Sequence, residues 1–207
     1  MSLGQSKGKP ERSAGTRSKS RGPRKATANY LRNSALHYLE RYATSSAHLR
    51  RRLMVKVARS AAAHGTDADA GAADVETLIN RLEQMGLLDD DLFARTKARS
   101  LHQRGNSARA IHAALRDKGI DADMIEAALD SLREETAQPE FVAALVYARK
   151  RRLGPYRAEE TRADKRDRDL AALGRRGFSY DLARRVIDAA NPGELEAEAQ
   201  DSATSIR

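Results

Sequence analysis

The chain has 207 residues, with 38 Lys and Arg against 29 Asp and Glu, a formal net charge of +9 at pH 7, and a 40% hydrophobic content of which aromatic residues are only 4% of the chain. Such a composition fills one or two modest helical cores rather than a single deep one. The absence of cysteine excludes disulfides, thiolate catalysis and thiolate-held metals, and uncharged runs such as 141–148, about eight residues, fall far short of the roughly 20 that cross a bilayer.

The polar, basic start MSLGQSKGKP has no apolar stretch behind it, so it lacks the h-region of a secretory signal and a cytoplasmic protein is expected. Residues 1–34 hold nine cations and one carboxylate, Glu11. This stretch is rich in Gly, Ser and Pro and nearly empty of large apolar residues before Tyr30, so burial cannot offset its ordering entropy. Residues 1–28 are therefore expected to form a disordered basic tail. Such a polycation either keeps the protein soluble or holds it near nucleic acid through counterion release. In the second case Lys7, Lys9, Arg12, Arg17, Lys19, Arg21, Arg24 and Lys25 are the candidate DNA contacts.

From there on, apolar positions recur every three or four residues and no segment alternates like a strand, which predicts helices throughout. A first helix is expected over Leu31 to Arg41. A second carries Leu49, Leu53 and Val57, and an Ala-, Gly- and Asp-rich insertion from His64 to Ala73 separates it from a third carrying Val75, Leu78, Ile79 and Leu82. Further helices are expected over Asp90 to Gln103 and Pro139 to Arg152. Between and after them the chain repeats itself: 115–123 aligns with 173–181, with Lys118-Gly119-Ile120 matching Arg176-Gly177-Phe178. Each glycine suits the left-handed position that ends a helix, the apolar residue after it can fold back on that helix, and Asp121 or Ser179 can cap the next one. Met124, Ile125, Ala128, Leu129 and Leu132 then form an inward stripe, as do Leu182, Ala183, Val186 and Ile187. The expected fold is all-α: three tandem three-helix repeats over 29–86, 87–136 and 137–190, stacked into an elongated body that can curve. Beyond Asn191-Pro192-Gly193 a frayed acidic C-terminal tail, 191–207, is expected.

No enzymatic constellation is present. Gly105-Asn106-Ser107-Ala108-Arg109 begins like a nucleophile elbow but lacks its final glycine and opens a helix instead of following a strand. His37, His48, His64, His102 and His112 show no i, i+4 pair for a helical zinc site. Gly4, Gly8 and Lys9 lack the spacing that cradles phosphates. Neither catalysis nor a cofactor or metal is expected. Basic clusters remain as carriers of function: Arg50, Arg51 and Arg52 on the second helix, Arg149, Lys150, Arg151 and Arg152 ending the seventh, Arg175 and Arg176 ending the eighth, and Arg184 and Arg185 on the ninth. Cations at helix C-termini also complement the dipole. A run of four, however, spans more than one helix face, so some of 149–152 must reach solvent, where phosphate or an acidic partner surface can meet them.

At Gly86-Leu-Leu-Asp-Asp-Asp-Leu-Phe-Ala-Arg95 the chain resembles the RecX family of recombination regulators. The likeness runs from about Tyr38 to Ala190 and takes in Leu82 to Asp89, Arg104-Gly105, Ile111, Leu115 to Ile120 and Arg175 to Phe178. The signature itself reads as structural: Leu87 and Leu88 end one stripe, Asp89 or Asp90 caps the next helix, and Phe93 anchors it. The chain departs from the family pattern at Asn106-Ser107-Ala108 and in the insertion of the first repeat. The resemblance implies a regulator in DNA repair and the SOS response that binds the filament of a RecA-type recombinase, lies in its groove, and inhibits ATP hydrolysis and strand exchange. The partners it implies are that filament and single- or double-stranded DNA without sequence preference, and the regulator is expected to be a monomer. The alternative is a general nucleic-acid-binding helical protein driven by its basic tail.

Overall fold

The structure, a computed structural model, describes residues 22–204, with side chains up to 200. Lys7, Lys9, Arg12, Arg17, Lys19 and Arg21 of the basic tail, and the disorder expected of residues 1–21, lie outside the described residues. Among the described residues the chain is all helical, with no strand, and forms three-helix units in series. The first unit comprises α1 (Ala28–Leu39), α2 (Ser46–His64) and α3 (Ala68–Gln84). The second comprises α4 (Asp90–His102), α5 (Ala108–Asp117) and α6 (Ala122–Glu135). The third comprises α7 (Pro139–Arg151), α8 (Arg162–Arg175) and α9 (Tyr180–Ile187), followed by α10 (Pro192–Thr204).

Each unit closes around its own apolar cluster. Leu31, Leu49, Leu53, Val57, Val75 and Ile79 are buried in the first, Ile111, Leu115, Ile120, Ile125 and Leu129 in the second, and Phe141, Leu145, Leu173, Phe178 and Val186 in the third. The corners follow the expected chemistry. Gly119 and Gly177 take φ of 81° and 95°, while the Ile120 and Phe178 N–H groups return to Leu115 and Leu173 O at 3.2 Å each, which ties off the last turn of α5 and α8. Asp121 and Ser179 cap α6 and α9. At the family signature it is Asp89, not Asp90, that caps α4.

Three expectations need correction. The Ala-, Gly- and Asp-rich segment from His64 to Ala73 does not as a whole separate the second and third helices, because α3 already begins at Ala68. Its first residue ends the 19-residue α2, Gly65 makes a tight corner, and 68–73 form the start of the 17-residue α3. High alanine content favours this, and Gly71 lets the two helices approach, since a Cβ there would lie 2.7 Å from Val57 Cγ1. Next, the described stretch of the tail, 22–27, is strapped to the end of α2. Ala26 N–H donates to Ser60 Oγ at 2.9 Å, and His64 Nε2 lies 2.7 Å from Pro23 O. Finally, the acidic C-terminal segment is helical to Thr204 rather than frayed. Leu195, 5% exposed, joins the third core, while Glu196 and Glu198 pair with Arg149 and Arg185.

Between α7 and α8 two 3-10 turns, Gly154–Tyr156 and Glu159–Thr161, double the chain back. They are fixed by Asp169 of α8, which accepts from Gly154 N–H at 3.0 Å and from Arg157 Nη2 at 2.9 Å. Arg162 adds bonds to the Pro155, Arg157 and Ala190 carbonyls.

Candidate functional site

The candidate surfaces are positioned by the joints between units, and the two joints are built alike. At the first, the N-cap Ser45 of α2 donates its hydroxyl to Lys118 O at 2.5 Å, and Ser46 N–H donates to Asp90 Oδ1 at 2.8 Å. At the second, the N-cap Ser107 of α5 donates to Arg176 O at 2.8 Å, and Ala108 N–H donates to Glu140 Oε1 at 2.5 Å. In both, a serine joins the free amino end of one unit's middle helix to the corner of the next unit, while a carboxylate from the first turn of the next unit's leading helix takes a neighbouring N–H. The corner glycines make this approach possible: a Cβ on Gly119 would lie 2.5 Å from Ala47 Cβ, and one on Gly177 2.6 Å from Ser107 Oγ. Burial pushes the Asp90 carboxyl above the usual aspartate range, and its bonds from Ser46 oppose that shift without cancelling it. Ser107, in the elbow-like run, therefore serves as a joint hydroxyl.

This frame disposes of most of the sequence-predicted cations. Arg50 pairs with Glu76 of α3 at 2.7 Å. Arg51 reaches across the first joint to Asp117 O at 2.5 Å, and Arg52 lies 4.4 Å from the Tyr38 ring centre. Arg176 sits 5.4 Å above Tyr147, its Nε buried without a partner. Arg184 lies 3.6 Å from Asp188, and Arg185 lies over the Phe141 ring at 4.2 Å. Arg149 is held loosely by Glu196 at 3.7 Å. The remaining candidates, Lys150, Arg151, Arg152 and Arg175, are exposed at the carboxyl ends of α7 and α8 with no charge partner among the described residues, as are Arg24 and Lys25 at the start of the strap. Thus the structure does not gather the predicted clusters into one patch. Among the described residues, it leaves the end of α7 as a run of three exposed cations without a charge partner.

No group of His, Asp and Glu suited to a metal occurs among the described residues. His102 is buried on Pro139 O at 2.7 Å. His48 has its pKa lowered by burial and then by Lys118, Arg51 and Arg52, which favours its neutral form. Sequence reasoning named Arg52 but passed over the aromatic residues around it on α1, on the turn after α1 and facing α2. There Tyr38 and Tyr42 stack with ring centres 5.1 Å apart, and Lys56 Nζ sits 5.2 Å from the Tyr30 ring centre. The i, i+4 tyrosine pair, in a chain holding only six tyrosines, was the signal that could have found this surface.

By sequence, residues 89–129 match the family model described as RecX, second three-helix domain. The chain is 44% identical over 171 residues to the regulatory protein RecX of Myxococcus xanthus, covering 82% of this chain and 90% of that protein. It is 30% identical over 169 residues to the regulatory protein RecX of Agrobacterium fabrum, covering 80% and 85%. No solved structure matches.

Proposed function

The chain belongs to the RecX family of regulatory proteins, and from this premise we propose that it is a non-enzymatic negative regulator of homologous recombination and DNA repair. It binds the filament of a RecA-type recombinase on DNA and inhibits ATP hydrolysis and strand exchange. In this reading it acts in the cytoplasm, as a monomer and without a cofactor. The observation that carries the contact surface is the run Lys150, Arg151 and Arg152, exposed at the end of α7 and without charge partners among the described residues. An array of this kind meets phosphate or an acidic protein face without first breaking an internal ion pair.

The test is ATP hydrolysis by the cognate recombinase on excess single-stranded DNA, titrated with this protein. Hydrolysis should fall with added protein. Reversing charge at Arg149, Lys150 and Arg152 together should abolish that fall while helicity by circular dichroism is retained; undiminished inhibition by the variant would remove α7 from the contact. The alternative, DNA binding driven by the basic tail, predicts that deleting residues 1–21, which spares the strap, eliminates DNA binding and flattens its salt dependence by about 0.9 for each phosphate no longer neutralised. If the helical units carry the activity, inhibition survives the deletion.

A further inference from the structure

We propose that the α1–α2 face of the first unit is a stacking platform for single-stranded nucleic acid, with Tyr42 as its exposed aromatic and Arg41, Arg52 and Lys56 as its phosphate contacts. The face holds a depression of about 250 Å³ lined by Tyr38, Tyr42, Arg41, Arg52 and Lys56, together with Ser34, His37 and two leucines, and no carboxylate lines it. Glu40, next in sequence to Arg41, lies 3.6 Å from His37. Tyr42 is 56% exposed. Its ring leans on Tyr38 at 5.1 Å with a tilt of 36°, and Arg52 covers Tyr38 at 4.4 Å. Tyr38 is thus held in place from more than one side while Tyr42 offers an uncovered ring to solvent. An exposed tyrosine backed by a fixed aromatic and flanked by cations is the arrangement on which an unpaired base stacks while its phosphates meet the rim.

The repeat architecture does not require this arrangement. Counted from the joint serines, Tyr38, Tyr42 and Arg52 of the first unit correspond to Ser100, Arg104 and Ala114 of the second, which builds the same joint without any of the three. A purely structural role for the cluster would have to explain why the second unit folds without it. Duplex DNA, whose bases present only their edges, gains nothing from a stacking ring. The platform is therefore matched to unpaired strands, and His48 beside Tyr38, 6.5 Å between ring centres, adds aromatic surface.

The experiment uses the full chain without recombinase, so its outcome is separate from that of the filament reading. Fluorescence anisotropy is recorded at fixed salt with labelled oligo(dT), oligo(U) and an abasic deoxyribose-phosphate strand, each of roughly 16 nucleotides, the upper site size of such platforms. The basic tail contributes to binding of all three, whereas only a base can stack. At least one base-bearing strand should bind about ten-fold or more tightly than the abasic strand. Tyr42→Ala should remove most of that preference, Tyr42→Phe should keep it, and Arg41→Gln with Arg52→Gln should weaken binding to every strand. Equal binding of abasic and base-bearing strands, or an undiminished preference in Tyr42→Ala, would overturn the proposal. So would a Tyr42→Ala protein that keeps its base preference but loses recombinase inhibition, since that would assign the face to a protein partner.

Discussion

Asp169 occupies a position that charge patterning reads as solvent-facing, inside the run Asp164-Lys-Arg-Asp-Arg-Asp169, yet it is 1% exposed. It accepts from Gly154 N–H and from both Nε and Nη2 of Arg157. Removing a carboxylate so placed strands a backbone N–H and a guanidinium, so Asp169→Ala should cost about 3–5 kcal/mol in urea unfolding. Its role is illegible in the sequence because the partners come from a connection whose path only the folded third unit defines. Tyr156 shows the same dependence on tertiary placement. It donates to Glu196 of α10 at 3.3 Å, and burial, followed by the charge of Glu196, pushes its phenol from 10.0 up to about 12. Because the folded value lies above the unfolded one, this group contributes stability that is complete below pH 10 and lost as pH rises through 12. Tyrosinate absorbance should therefore contain a component centred near pH 12 that Tyr156→Phe lacks, and α10 should loosen over the same interval.

Helix ends carry more of the specification than helix middles. Stripes, corners and caps were largely legible: the second corner glycine, Ile120, Asp121 and the inward faces of α6 and α9 stand where periodicity and turn chemistry place them. The joints were not, because Ser45 and Lys118 are 73 residues apart and a serine before a helix is fully explained by its local capping role. That second use is testable through the glycines. Gly65 and Gly119 both have positive φ, 63° and 81°, but a Cβ on Gly65 meets nothing within 4 Å, whereas one on Gly119 meets Ala47 Cβ. Gly65→Ala should cost only the left-handed backbone penalty, roughly 1–2 kcal/mol. Gly119→Ala should cost about 3 kcal/mol or more, because overpacking at the joint is added. Equal costs in chemical denaturation would show that the joint yields without resistance. The long Ala-rich α2–α3 corner and helix α10 were misjudged from sequence for a related reason. Composition signals what a segment can do alone, while Val57 beside Gly71 and the third core around Leu195 decide what it does in place.

Across the whole molecule the three apolar clusters are distinct and meet through polar joints, so stability should be a sum of unit and nearest-neighbour terms. Loss of Asp169 should then reach the second unit through the joint at Ser107 and Ala108 and through the contacts that His102 and Gly105 make with α7. In Asp169→Ala, limited proteolysis at intermediate urea should accumulate a fragment holding the first two units, whereas a single concerted loss of all three would indicate stronger coupling. Of the two proposed surfaces, the cations at the end of α7, without charge partners among the described residues, were legible as a charge run. The tyrosine face was not, since its members lie on two helices and combine only when α1 lies along α2. The joint itself behaves as a connector with a plug and a socket. Every plug is a serine hydroxyl at a helix start, and every socket is a carbonyl beside a corner glycine. The first corner, at Gly65, has open space where the later corners receive a plug. A body wired this way can be extended or shortened by whole units without redesigning any interior, and its reach along a polymeric partner would then be set by counting modules.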